Sequence, residues 1–346
     1  MKSIFKLTFA LLILSNMQVS AAGSDYSKII KTAWAKSSVT ALKVTNKYGE
    51  VKINDLGGDS VTIKVVVTVD NSSENRAKDL LDKIQIEFHK SGGLASAQTN
   101  IENNFKSKQS YRIDYLINIP KDRDLDINNR YGNVIINDLE AKGNFNISYG
   151  NLTAGKLKAP SGNPVNIAVS YGQADIEIIN DANMEFKYSK LNSGDIGHLK
   201  LDSEYSPTIN LHKVNSLQLD SRYDAINVDE VDNMNSVSRY SNYKIGLLLG
   251  SFDLDTGYGS VRIDKVDSKF EKIKITSSYG GINIGLNDLN YKLHAECSYC
   301  DVDYPNDRYK GDKVRDHQNF SLDGNVGTGG GSVSINSRYG GVKLTE

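Results

Sequence analysis

Cys297-Ser-Tyr-Cys300 has the spacing of a dithiol redox pair, and these two are the only cysteines in the chain. Such a pair normally opens a helix, where the dipole lowers the thiol pKa. Here Cys297 takes the inward small position that Ser203, Ser221 and Ser277 take in other repeats, and Cys300 falls on the corner after it. Strand and corner do not activate a thiol in that way, so redox catalysis is not the expectation. Two readings stay open: a structural disulfide, which export favours, and an unbonded pair, which opposed side-chain directions favour.

The other groups with chemical potential are scattered. None of His89, His198, His212, His294 and His317 stands at a metal-ligand spacing from another. Asp253/Asp255 and Asp301/Asp303 flank apolar residues of a strand, so each pair shares an outward face. Paired acids on a β-rod can hold Ca²⁺ or act on polysaccharide. They also arise by chance in an Asp-rich chain. There is no GxSxG, P-loop, HExxH or Gly-Gly-x-Gly-x-Asp repeat. No catalytic, metal or cofactor set is expected.

What positions these residues is a repeat. A phrase of alternating apolar residues, a small residue and Tyr, followed by another apolar pair, recurs at Tyr48, Tyr131, Tyr149, Tyr171, Tyr188, Tyr205, Tyr223, Tyr240, Tyr258, Tyr279, Tyr299 and Tyr339. From Tyr131 to Tyr299 the steps are 17 to 22 residues. A period that short predicts an all-β parallel solenoid, each repeat one coil resting on the last. In one coil Leu217, Leu219, Ser221 and Tyr223 share a parity, and Gln218, Asp220 and Arg222 face water. Ile226, Val228, Val231 and Met234 follow with steps of three that break the parity, giving one longer side, two short ones and three corners. The coil after Tyr205 departs, because Pro207 shifts its apolar pair to Ile209 and Leu211, which predicts a bulge. Seven of the tyrosines precede Gly, so the residue after Tyr reads as the corner itself.

The tyrosines Tyr131, Tyr149, Tyr171, Tyr188, Tyr205, Tyr223, Tyr240, Tyr258, Tyr279 and Tyr299 read as a structural corner ladder. Sharing the parity of the core residues, the rings are expected inward, stacked on one another, with hydroxyls reaching backbone or water. The other reading is an exposed row on which sugar rings stack.

The first residues read as a secretory leader: Lys2 and Lys6, an apolar run Leu7–Leu14, and Val19-Ser20-Ala21 before the cut. The apolar run is too short to span a bilayer, and no later segment is long enough. Export without a transmembrane anchor is the expectation, to periplasm, outer surface or medium. Losing the leader shifts net charge from −1 to −3 by removing two lysines, and interspersed charge gives no case for nucleic acid. Residues 22–130 are expected to form a β-rich segment with one short helix at Ser73–Leu81, capped by Ser72 or Ser73, either continuing or capping a solenoid over residues 131–346. An irregular insertion lies near 305–331. Its Arg308, Tyr309, Lys310, Lys313 and Arg315 form a candidate contact loop, although Asp307, Asp312 and Asp316 interleave and make a solvated loop the plainer reading.

Several phrases resemble the putative adhesin domain family of bacterial envelope proteins: Val44-Thr-Asn-Lys-Tyr-Gly-Glu-Val-Lys-Ile, Ala77-Lys-Asp-Leu-Leu, Ile117-Asn-Ile-Pro, Leu125-Asp-Ile-Asn-Asn-Arg-Tyr-Gly-Asn-Val and the ending Gly330-Gly-Ser-Val-Ser-Ile-Asn-Ser-Arg-Tyr-Gly-Gly-Val. The resemblance covers most of the chain, implies adhesion by name, and brings no catalytic residues. The expectation is an exported, non-enzymatic envelope or surface protein that presents a stiff face to a glycan or a surface protein. A carbohydrate-active β-helix enzyme and a periplasmic structural or stress-linked protein are the alternatives.

Overall fold

The computed structural model describes residues 14–19, 25–56, 58–103, 105 and 110–345. The described residues are nearly all-β, with 70% strand and 4% helix, and among them are one α-helix and a parallel β-solenoid of about 9 turns. The chain divides into two compact units, Met1–Ala141 and Lys142–Glu346. The leader falls largely outside the described residues. Of it only the backbone of Leu14–Val19 is described, paired antiparallel with Asp25–Ala35.

In the first unit Asp25–Ala35 pairs antiparallel with Ser60–Asp70, which pairs antiparallel with Tyr111–Asn118. The β-branched run in Ser60–Asp70 alternates: Val61, Ile63, Val65, Val67 and Val69 are all buried. That alternation, rather than propensity alone, fixes which face packs. One coil is set into this frame. Ala41–Lys47 lies between Leu94–Ile101 and Asp124–Arg130, parallel to both. Val51–Asn54 lies likewise between Tyr115–Asn118 and Val134–Ile136. The helix Glu74–Asp82 buries Ala77, Leu80 and Leu81. Ser73 occupies its N-cap position but makes no side-chain cap; instead Asn71 Oδ1 accepts the Ser73 N–H at 3.0 Å. Beneath the coil Thr99 Oγ1 meets both Asn46 Oδ1 and the buried Tyr115 hydroxyl at 2.8 Å. Burial pushes that phenol well above its ordinary pKa.

In the middle coils of the second unit the strands run from one tyrosine to the next. Gln173–Lys187, Lys190–Glu204, Thr208–Arg222, Ala225–Arg239 and Asn242–Tyr258 stack parallel and in register, save for one shift in the last pair, where Val231 faces Leu248 and Asn233 faces Ser251. In Ala225–Arg239 the buried residues are Ile226, Val228, Val231, Met234, Ser236 and Ser238. The steps of three are therefore bends within a continuous strand, where two successive residues face out. Only the tyrosine corner interrupts the strand. Pro207 lies in that interruption, between Glu204 and Thr208, so its extra residue is absorbed by the corner and no bulge enters the ladder.

The C-terminal coils are not in sequence order. Gly331–Arg338 lies between Lys272–Tyr279 and Tyr291–Ser298, parallel to both. Val342–Thr345 lies between Ile282–Gly285 and Val302–Asp303. The coil Tyr291–Asp303 thus leaves one level open, and the last coil fills it. Between the two, Tyr309–Asp316 and Asn319–Val326 form an antiparallel hairpin whose second strand pairs antiparallel with Tyr291–Ser298.

Candidate interaction faces of the coil

The tyrosine corners differ from the expected buried ladder. The residue in the left-handed region is the tyrosine itself, with φ between 51° and 84° at every ladder position except Tyr258, where Gly259 takes φ 136°. A positive φ turns the side chain out of the parity of the strand before it. The rings therefore stand at the surface: those of the second unit are 41% to 51% exposed. Parity misplaced them because it holds only while the backbone stays extended.

The rings stack in spatial order Tyr149, Tyr171, Tyr188, Tyr205, Tyr223, Tyr240, Tyr258, Tyr279, Tyr339, Tyr299. Centroids are 4.6 to 5.0 Å apart and planes within 10°, widening to 20° at the last pair. In the first unit Tyr48 stacks on Tyr131 at 5.0 Å and meets Tyr111 at a tilt, 5.1 Å away. Partial burial, then the nearby Tyr48, push the Tyr111 phenol up to about 12. Each interior ring has both faces against neighbours. What it offers outward is an edge and a hydroxyl, so the row has no free ring faces along its length on which a sugar could stack.

Behind the rings the residue after each tyrosine points inward, in two chemical versions. At the Gly corners backbone packs on backbone: a Cβ on Gly280 would lie 1.8 Å from the Gly259 carbonyl oxygen. At the others, side chains carry hydrogen bonds along the stack. Gly172 N–H donates to Ser189 Oγ (3.2 Å), Ser189 N–H to Ser206 Oγ (3.5 Å), Ser206 N–H to Asp224 Oδ1 (2.7 Å) and Asp224 N–H to Ser241 Oγ (3.1 Å). Asp224 Oδ2 also accepts from Ser221 Oγ at 2.7 Å and Arg222 N–H at 3.1 Å. Burial raises the Asp224 pKa, and these donors oppose the shift.

Cys297 and Cys300 occupy the positions of Ser221 and Asp224, and the structure joins them in a disulfide. The left-handed turn at Tyr299, φ 57°, brings both sulfurs to the inner side. Opposed directions would hold only for an extended chain.

Outward side chains form rows at coil spacing. Asn192 donates to Asp175 Oδ1, Asn210 to Asn192 Oδ1 and Asn227 to Asn210 Oδ1, at 2.8, 2.9 and 3.0 Å. Glu185, Asp202 and Asp220 stand in register; partial desolvation, then the charges of Asp220 and Glu185, raise the Asp202 pKa. Shallow open grooves run over the long side, one lined by Gln218, Asn235, Asp253 and Lys272, another by Asn183, His198, Lys200 and Gln218.

The sequence-marked acids and histidines do not converge. Asp253 pairs with Lys272 at 3.2 Å and Lys274 at 3.9 Å, Asp255 with Arg239 at 3.5 Å, and Asp301 with Arg315. His198 and His212 each meet one carboxylate, Asp181 at 2.7 Å and Asp229 at 3.0 Å, and the bond to Asp229 raises the His212 pKa. His89 stands beside Glu87, His294 between Glu296 and Asp323, and His317 beside Asp316. Among the described residues no three His, Cys, Asp or Glu side chains group to hold a metal ion.

The candidate contact loop is the C-terminal hairpin, and much of it is engaged internally. Arg308 donates to the Asp288 and Leu289 carbonyls at 3.0 Å, and the Tyr309 hydroxyl donates to the Asp312 carbonyl at 2.6 Å. Lys313 lies over the Tyr304 and Phe320 rings, and Arg315 over Phe320 at 4.6 Å. Lys310 is exposed on the outer strand. The cations therefore brace the hairpin as much as they decorate it.

The family described as Toastrack DUF4097 matches residues 39–345. No curated protein matches significantly. Among solved structures, a putative cell adhesion protein from Clostridium sporogenes is 10% identical, with 92% of this chain and 99% of that one covered and a TM-score of 0.19. A putative adhesin from Bacteroides fragilis is 12% identical, with coverages of 73% and 95% and a TM-score of 0.34. A putative lipid binding protein from Parabacteroides distasonis is 11% identical, with coverages of 94% and 98% and a TM-score of 0.29. Likeness at this level transfers no function.

Proposed function

The chain belongs to the Toastrack DUF4097 family, and from that premise we propose that it is an exported, non-enzymatic protein of the cell envelope or surface whose stacked coils present a rigid face for adhesin-like binding. The observation that carries this reading is the parallel register of the coils, continuous from Gln173 to Arg239 and carried on to Tyr258 with one shift between Val231 and Asn233, which repeats outward side chains at the strand spacing. Such a face binds through many weak, evenly spaced contacts rather than through one pocket. Of the acids that a polysaccharide-cleaving enzyme would use, Asp253, Asp255 and Asp301 pair with basic side chains on the outer surface, which favours binding over turnover. Lys2, Lys6 and the run to Ala21 serve as the export leader in this reading.

Protease and antibody accessibility on intact cells is the test. Digestion and labelling on unopened cells support a surface role. Protection until the outer membrane is opened overturns it in favour of a periplasmic structural protein. Depolymerisation of any polysaccharide by the purified chain overturns the non-enzymatic part.

A further inference from the structure

We propose that the ten-ring tyrosine stack of the second unit is a one-electron relay, able to carry an oxidising equivalent from Tyr149 to Tyr299. The inference is independent of the binding role proposed above. It starts from the choice of residue. A corner with positive φ is served most cheaply by Gly or Asn, and any other L-residue there is strained. Stacking alone would be served by phenylalanine. The chain has nine phenylalanines, yet all ten stacked rings are tyrosines. The property kept at each level is a phenol, an aromatic ring that gives up an electron together with a proton.

Three features suit the stack to that chemistry. The donors are alike in ring type and exposure, with two departures, the backbone at Tyr258 and the Arg338 guanidinium over Tyr339 at 5.0 Å. The gaps are short and even: centroids never exceed 5.0 Å between successive rings. The outer edges are wet, so each hydroxyl has water as a proton acceptor. Competing traps other than the unit's remaining tyrosines are few as well. Neither cysteine is a free thiol, Met184 and Met234 are buried, and the single tryptophan, Trp34, belongs to the first unit.

The steps balance. A one-electron oxidant, of the ferryl-haem or photo-oxidised metal-complex class, takes an electron from one ring and is reduced. That ring's O–H bond breaks and its proton passes to water, leaving a neutral phenoxyl radical. The adjacent tyrosine then transfers one electron to the radical and its hydroxyl proton to water, while the radical oxygen takes a proton from water. One O–H bond forms, one breaks, and the radical has moved one ring. Nine such steps span roughly 43 Å at the strand spacing.

The full-length protein is tested with a ruthenium polypyridyl photo-oxidant attached to Cys in a Ser148→Cys variant and 3-aminotyrosine, a deeper trap, in place of Tyr299. After a flash, the aminotyrosyl radical is read by electron paramagnetic resonance. The relay predicts that it forms, and that it is lost when Tyr205→Phe and Tyr223→Phe are combined, although the phenylalanines keep the stack and the melting temperature. If the double variant fails to fold, each single Phe variant must lower the yield. No radical at position 299, or the same yield with phenylalanine in the middle, overturns the proposal.

Discussion

Two sets of corners in the second unit solve one problem differently. Around Gly280 and Gly340 the residue after the tyrosine has no side chain, and successive backbones pass within what would be Cβ distance. From Ser189 to Ser241 the same position carries a hydroxyl or carboxylate that accepts the N–H of the coil before it. Both kinds keep the ring in the stack, and all but Tyr258 hold the tyrosine in the left-handed region. The ring is thus the constant of the corner, and the residue behind it varies. The pair Cys297–Cys300 is a third solution, covalent where Ser221–Asp224 is hydrogen-bonded.

The comparison breaks most sharply at Gly280. Gly280→Ala drives a methyl group against the Gly259 carbonyl, where neither backbone can yield. A loss of about 3 kcal/mol or more is expected in denaturant unfolding, at the upper end of overpacking costs. Tolerance of that alanine would mean that the Gly corners are no tighter than the serine ones.

A smaller effect is expected from Cys297→Ser combined with Cys300→Gly, which converts the covalent corner to a common one. Closing so short a loop constrains the unfolded chain by about 2 kcal/mol, and that amount should be lost. Reductant should lower the melting temperature of the parent and leave the variant unmoved.

The smallest effect concerns Asp224, whose folded pKa is raised above the ordinary 3.8. The stability this group contributes is fully present below that value and falls as pH rises through the raised folded pKa. Between the ordinary carboxylate range and neutrality the parent should lose stability that Asp224→Ser does not. The check is unfolding midpoints of both proteins across that window. Parallel profiles would show that the donors around Asp224 fully compensate its burial.

Much of this arrangement is legible in the residues. The period, the inward set such as Leu217, Leu219, Ile226 and Val228, the bends at steps of three and the helix near Ser73 follow from spacing. The ring positions do not, because parity assumes extended backbone and the left-handed turn lies on the very residue being placed. The same assumption left the Cys297–Cys300 bond as one of two open readings. The coil order was hidden because Tyr279, Tyr299 and Tyr339 carry equivalent phrases: local sequence marks a coil without marking its level. At Pro207 the extra residue was visible, but its home in the corner depended on where the strand already breaks.

The central claim is that the ladder is a surface stack of ring edges. Native-state nitration mapped by mass spectrometry tests it directly, because the reagent attacks ring carbons beside the hydroxyl. The account predicts modification along Tyr149–Tyr299 while Tyr115, Tyr243 and Tyr291, each at most 2% exposed, are spared until unfolding. Ladder tyrosines as protected as Tyr243 would contradict it and return the rings to the core.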